Sequence, residues 1–200
     1  YSRVIAANPN SEESLVNLIA IGMARKDDKM VREHAEKLLA LRPQSQVALE
    51  GLAASAFAAA DYEAAASYCR KLLEVAPETF ERVFNLGVAC HKTGQKEDAA
   101  QAYEKALRIR PDAKQAFINL GIVRQELNDL KGAREAYERA LQITPDLPEI
   151  LNNLAGLLAQ AEKPMKDLEA MVTAQLDEKQ LALGAAPYED SQPELIDWMN

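Results

Sequence analysis

Two histidines, two cysteines and 31 carboxylates are the residues of this chain that could carry acid–base, nucleophilic or metal chemistry, and their spacing assembles none of it. His34 and His91 stand in different stretches, with no HExxH pattern and no cysteine–histidine cluster to hold a metal. Cys69 and Cys90 form no CxxC pair. Two readings are open to them, buried thiols packed as small apolar groups or a single disulfide; free thiols would point to a reducing, cytoplasmic setting. Neither a Gly-x-x-x-x-Gly-Lys loop nor a GxGxxG turn is present to cradle phosphate. The acidic pairs Glu12-Glu13 and Asp27-Asp28 fall at helix starts, where the positive end of the helix dipole favours them without any catalytic role. The chain therefore reads as non-enzymatic, with no cofactor and no metal. What recurs is an amide. Asn85, Asn119 and Asn153 stand 34 residues apart, and Asn17 lies two such intervals before them. An asparagine side chain offers two donor hydrogens and an acceptor, enough to pair with both the N–H and the C=O of an extended peptide.

The same interval runs through the whole chain. Pro9, Pro43, Pro77, Pro111 and Pro145 recur every 34 residues, each after a run such as Ala106-Leu107-Arg108-Ile109-Arg110. Proline ends a helix there by withholding a donor and clashing with the preceding turn. This frame gives the end of a truncated preceding repeat at 1–11 and four units at 12–45, 46–79, 80–113 and 114–147. A degenerate terminal unit or capping helix follows at 148–183, then an acidic tail at 184–200 with a short helical motif. The chain reads as cut from a longer array. Within a unit the period is helical: Phe117, Leu120, Gly121 and Arg124 are spaced i, i+3, i+4, i+7, and Ala133, Tyr137, Ala140 and Leu141 repeat the rhythm. Asn128-Asp129 and Thr93-Gly94-Gln95 supply the breaks between the two halves. Small residues at Gly121, Ala133 and Ala140 let the paired helices approach closely. Each hairpin buries only one face by itself, so neighbours must stack.

These residues resemble the tetratricopeptide repeat, with an aromatic-x-x-Leu-Gly segment followed by Ala-x-x-x-aromatic, Ala and Pro. Unit 80–113 supplies Val83, Leu86, Gly87, Cys90, Ala99, Tyr103, Ala106 and Pro111. Unit 46–79 is looser, with Leu49, Leu52, Ala53, Ala65, Cys69, Leu72 and Pro77; in unit 12–45 Ile19 replaces the small residue and Val31 the alanine. The resemblance covers about residues 1–180. It implies an all-α solenoid of stacked helix-turn-helix hairpins, wound as a right-handed superhelix whose first helices line a concave groove. On that mapping Asn17, Asn85, Asn119 and Asn153, each sixth in its unit, face the groove, and Gly51 breaks the row. The arrangement looks like the asparagine ladder of the tetratricopeptide part of O-GlcNAc transferases. Val16, Met23, Phe57, Phe84, Val88, Ile118 and Ile122 would line apolar pockets between the amides. Asn85 and Asn119, with Phe84 and Ile118, would form the centre of a peptide site. The other reading of these asparagines is that they tie neighbouring helices together. A clamp for a terminal carboxylate needs basic residues at places that here hold Val16, Ala20, Gly51, Glu81 and Asn85.

The fifth unit departs from the pattern, with Asp167 where a packing alanine is expected and Lys179 in place of the closing proline. Terminal repeats are atypical because one side faces water. In the tail, Ser191-Gln-Pro-Glu194 reads as a capping box ahead of Leu195, Ile196, Trp198 and Met199. That cluster is either a frayed end or a short motif docking in a groove, with self-association through Leu195, Trp198 and Met199 as one outcome. A net charge of −8 and a pI near 4.9 disfavour nucleic acid, whose phosphates attract basic stripes. No run of 18 apolar residues is present to insert in a membrane. The expected function is a protein-interaction scaffold binding a peptide or protein segment in the groove. The alternatives are the substrate-docking arm of a larger enzyme, such as a glycosyltransferase, or a self-associating assembly module.

Overall fold

The computed structural model describes residues 11–145 and 148–160, and the acidic tail with Leu195, Trp198 and Met199 lies outside them. Among the described residues every regular element is an α-helix: α1 (Glu12–Arg25), α2 (Asp28–Leu41), α3 (Gln46–Ala58), α4 (Tyr62–Val75), α5 (Phe80–Lys92), α6 (Lys96–Ile109), α7 (Lys114–Glu126), α8 (Leu130–Ile143) and α9 (Pro148–Gln160). They fall into two compact units, one ending at Gln95 and one beginning at Lys96. In the first, α1 to α5 pack each on the next; in the second, α6 to α9 do the same.

Local chemistry sets the helix ends. Ser11, Ser45 and Thr79 accept the N–H of Ser14, Ala48 and Arg82 at 3.2–3.4 Å and so start α1, α3 and α5. Ala113, ahead of α7, has no side chain to do this. Between first and second helices, Lys26, Ala60, Gly94 and Asn128 take left-handed φ angles of 55°, 55°, 75° and 60°. Each turns the chain so that the next residue (Asp27, Asp61, Gln95 or Asp129) donates its N–H to Gly22, Ala56, Cys90 or Arg124 at 2.8–2.9 Å. Asp27, Asp61 and Asp129 then cap the following helix through Met30, Ala64 and Gly132. Glycine suits the left-handed turn, yet only one of the four places holds it. Pro43, Pro77 and Pro111 each stand two residues past the last helical one, where the chain leaves α2, α4 and α6.

Packing follows a volume trade between fixed places of the 34-residue frame. The eighth place, on the first helix, is Ile19, Ala53, Gly87 and Gly121, and the twenty-fourth, on the second, is Ala35, Cys69, Tyr103 and Tyr137. As one shrinks the other grows, and all eight are buried. At Gly121 a Cβ would run into the Tyr137 ring, so the glycine is required there for closeness rather than for φ. In the first unit, Leu15, Ile19, Val31, Ala35, Leu38, Ala48 and Leu52 form one apolar cluster. In the second, Ile118, Ala133, Tyr137, Ala140 and Leu141 join Ile150, Leu151, Leu154 and Leu157. At about 25 cal/mol per Å² of apolar area, such clusters dominate the stability of a hairpin that has little propensity to stand alone.

Candidate functional site

The sixth residue of each first helix was singled out by its recurrence, and the helices carry these residues into different surroundings. Asn17 on α1 is half-buried. Gly51 takes the place on α3, and a Cβ there would stand 3.1 Å from Val31 Cγ1, 3.2 Å from Ile19 Cγ2 and 3.5 Å from Ala35 Cβ. Bulky Ile19 and Val31, the two departures of unit 12–45 from the repeat pattern, occupy the space an asparagine would need. The break in the row is therefore a packing consequence.

Asn119 on α7 is 2% exposed and paired on both sides. Its Nδ2 donates to the Tyr103 hydroxyl at 3.4 Å, and its Oδ1 accepts from Gln115 Nε2 at 3.2 Å. This amide ties α7 to α6. Asn153 on α9 is 9% exposed, and its Nδ2 meets no protein group. The hydroxyl sixteen residues earlier, that of Tyr137, donates to Gln125 Oε1 at 3.3 Å.

Asn85 on α5 differs from all of these. It is 0% exposed, and neither its Nδ2 nor its Oδ1 has a partner in the protein. The place sixteen residues earlier, which gives Asn119 its tyrosine, holds Cys69. A thiol is a weak donor and a weak acceptor. Burial first, then the neighbouring Cys90, pushes the Cys69 thiol up to about 12, partly offset by Arg70, so it stays neutral. Both cysteines are free thiols and buried; Arg70 donates to Cys90 Sγ at 3.4 Å and to Gln95 Oε1 at 2.5 Å.

Around Asn85 much of α5 is buried: Phe80, Val83, Phe84, Val88 and Ala89 are all at most 3% exposed, while Glu81, Leu86 and His91 are half-buried. Phe80 and Phe84 stack at 5.5 Å. Phe57 on α3, 5% exposed, meets Tyr62 edge-on at 6.2 Å. Ile118 lies in the apolar cluster with Tyr137, and Ile122 packs half-buried against that cluster. Val16 and Met23 pack half-buried on the cluster of the first unit. Asn85, Phe84, Val88 and Phe57 thus belong to one compact unit, and Asn119, Ile118, Ile122 and Asn153 to the other.

Charge pairing holds the first helices in place. Arg82, three residues before Asn85, is 9% exposed and reaches Glu50 on α3 at 2.6 Å and the Pro77 carbonyl at 2.6 Å. Arg124 on α7 binds Glu104 at 2.8 Å and the Gly132 carbonyl at 3.1 Å. The sequence pattern placed Arg124 only in a helical rhythm and singled out neither Arg82 nor the partner role of Tyr103. The signal that finds the latter is a comparison at sixteen residues' distance, from second helix to the next first helix. Among the described residues no group of three metal-capable side chains occurs, and no helix is long and apolar enough to cross a membrane.

The profile of the family described as tetratricopeptide repeat matches residues 50–114 and 92–148. No curated protein matches the sequence. Among solved structures the chain is similar to YrrB, described as a tetratricopeptide protein with an unusual peptide-binding site. Identity is 17%, over 91% of this chain and 95% of that one, with a TM-score of 0.78. It is similar also to MamA from Desulfovibrio magneticus RS-1, at 17% identity over 86% and 94% of the two chains with a TM-score of 0.71. PilF of Pseudomonas aeruginosa matches at 21% identity, over 86% and 81%, with a TM-score of 0.60. At these identities the likeness is one of fold: an all-α solenoid of helical hairpins.

Proposed function

Since this chain belongs to the tetratricopeptide-repeat family, whose fold serves as a scaffold for protein–protein interaction, we propose that it holds an extended peptide segment of a partner protein against α5 of its first compact unit. The centre of the site is Asn85 on α5, with Phe84, Val88 and Phe57 supplying apolar contact.

One observation carries this reading. Asn85 is fully buried with both its polar atoms unpaired in the protein. Leaving a buried amide without a partner costs about 1–3 kcal/mol, and most buried polar groups avoid it. A peptide backbone presents the missing acceptor and donor together, so binding returns that energy. The description of YrrB as a peptide-binding protein supports the same use of this fold. Nothing in this reading requires catalysis: the residues at its centre are an amide and hydrocarbons.

The test begins by selecting peptides from a displayed random library on the immobilised chain. The affinity of a selected peptide is then compared for the wild-type chain and for Asn85→Ala. A loss of about tenfold, near 1.4 kcal/mol, is expected from one lost amide pairing. Unchanged affinity with unchanged helical circular dichroism would contradict the reading.

A further inference from the structure

We infer that the turn between α6 and α7 is a second interaction surface of this chain, and that its occupant is the chain's own acidic tail, held through Glu189, Asp190 and Glu194. This surface is separate from Asn85 and does not depend on the peptide-binding reading above.

The turn stands out by its charge. Lys105, Arg108, Arg110 and Lys114 face a single carboxylate, Asp112, within ten residues of a chain whose net charge is −8. The backbone gathers them. Arg110 donates its N–H to the Ala106 carbonyl at 2.9 Å, and Ala113 donates to the Arg110 carbonyl at 3.3 Å. The turn is therefore tight, with Arg108 in the last turn of α6 and Lys114 at the first residue of α7 flanking it. Arg108, Arg110 and Lys114 are exposed, and between the two arginines Ile109 is 43% exposed. Among the described residues neither Arg108 nor Lys114 is paired with a carboxylate. The same stretch of the frame differs elsewhere. At 37–46 both cations are answered, Lys37 by Glu33 at 2.8 Å and Arg42 by Glu12 at 2.9 Å. At 71–80 Lys71 stands with Glu74 and Glu78, and at 139–148 Arg139 stands with Asp146. Folding the repeat thus does not call for the charges at 105–114.

Their complement lies in the chain itself. Residues 185–200 hold Glu189, Asp190, Glu194 and Asp197 and no lysine, arginine or histidine. Pro187 and Tyr188, just before the first two acids, offer apolar surface to Ile109. Exposed charge pairs are weak singly and screened by salt, so a free peptide would be held poorly. A tether changes that balance. Residues 161–187 join the end of α9 to Tyr188 and, even with 164–183 wound as one helix, span about 50 Å. The fourteen-residue α6 is about 21 Å long, so reach does not limit the tail. A segment tethered in this way acts at about millimolar concentration. A second copy must compete with it against the mutual repulsion of two acidic chains. An acidic segment from outside enters the corner only by displacing the tail.

Trp198 is the one tryptophan of the chain, so its fluorescence anisotropy reads the tail in the full chain. Anisotropy is expected to be high at about 20 mM salt and low at about 500 mM, where screening acts within a few ångströms. At low salt, Arg108→Glu/Lys114→Glu is expected to remove at least half of that difference. Glu189→Gln/Asp190→Asn/Glu194→Gln, made in the tail, is expected to do the same. Lys37→Glu/Arg42→Glu brings the same change of net charge to the corner whose cations are paired, and is expected to leave the signal unchanged. Should the charge reversal at 108 and 114 disturb the helical circular dichroism, Arg108→Gln/Lys114→Gln takes its place. Unchanged anisotropy in the folded corner variant, or an equal fall in Lys37→Glu/Arg42→Glu, would overturn the inference. Dilution tests the occupant: a constant signal from about 100 µM to about 1 µM supports the chain's own tail. A signal that falls on dilution places the tail on a second copy and overturns the assignment.

Discussion

The hairpin of residues 12–45 and the hairpin of residues 114–147 close the same helical frame with opposite distributions of volume. In the first of these the first helix carries the bulk as Ile19 and the second answers with Ala35 and Leu38; the hairpin of 46–79 stands between, with Ala53 opposite Cys69 and Leu72. In the second unit Gly121 recedes on the first helix, and Tyr137 with Ala140 fills the space from the second. Both solutions are fully packed, which is why substitutions that conserve volume and pattern leave such a fold intact. They are not chemically equal. The tyrosine solution brings a hydroxyl into the seam between hairpins, where it pairs with Asn119. The aliphatic solution brings none. At Asn119 the polar accounting depends on the tyrosine one hairpin earlier, whereas Asn153, preceded by Tyr137, keeps its Nδ2 unpaired.

The largest expected effect tests that trade directly. Tyr137→Ala removes a buried aromatic and should cost about 3–5 kcal/mol in denaturant unfolding. Gly121→Ile alone should cost about as much by collision with the ring. The double variant Gly121→Ile/Tyr137→Ala reproduces the Ile19/Ala35 arrangement, and it should recover at least half of the summed loss. Strict additivity of the two losses would break the comparison.

A second difference is electrostatic. The Arg82–Glu50 pair belongs to the first unit, with side chains 10% and 25% exposed. At the place of Arg82 the second unit has the buried Ala116. Arg82→Ala should lower stability by about 2–3 kcal/mol, since it leaves Glu50 with only Gln46 as a partner and takes the guanidinium from the Pro77 carbonyl. Lys37→Ala, which breaks a pair half in water, should stay within about 0.5 kcal/mol. Equal effects of the two would show that burial does not set the worth of these pairs.

A smaller effect concerns the turns. Ala60 holds a φ of 55°, which costs a side chain with a Cβ about 1 kcal/mol. Ala60→Gly should therefore raise the unfolding midpoint. Asn128→Gly, in the second unit, should change it less, because asparagine tolerates the left-handed region. A destabilised Ala60→Gly chain would mean that the loss of freedom in the unfolded state outweighs the strain.

Much of the fold was legible because the repeat states its own frame. Five prolines at one interval and an i, i+3, i+4, i+7 rhythm place helix ends and buried faces without knowledge of any contact. The turns were partly legible: Gly94 and Asn128 announce a left-handed residue, whereas Lys26 and Ala60 do not, since their conformation is imposed by the caps on either side. The site was legible as a row of amides and not as a set of environments. Nothing in the local pattern separates Asn119, tied to Tyr103, from Asn85, tied to nothing. The pairing of Asn119 lives between residues on different helices, sixteen apart. The apolar candidates met the same obstacle, since Phe84 or Ile118 has the same helical spacing in a core as beside a groove.

On the proposed function Asn85 is kept unpaired for a ligand, while Asn119 is spent on structure. Asn→Leu substitution at each position, followed by denaturant unfolding and peptide affinity, tests it most directly. Asn85→Leu should leave stability unchanged or raise it by about 1 kcal/mol while weakening the selected peptide, because an unsatisfied amide is replaced by hydrocarbon. Asn119→Leu should lower stability by about 1 kcal/mol and leave the peptide's affinity in place. If both variants lose stability equally, or if Asn85→Leu binds the peptide as the wild-type chain does, Asn85 is another strut and the account is wrong.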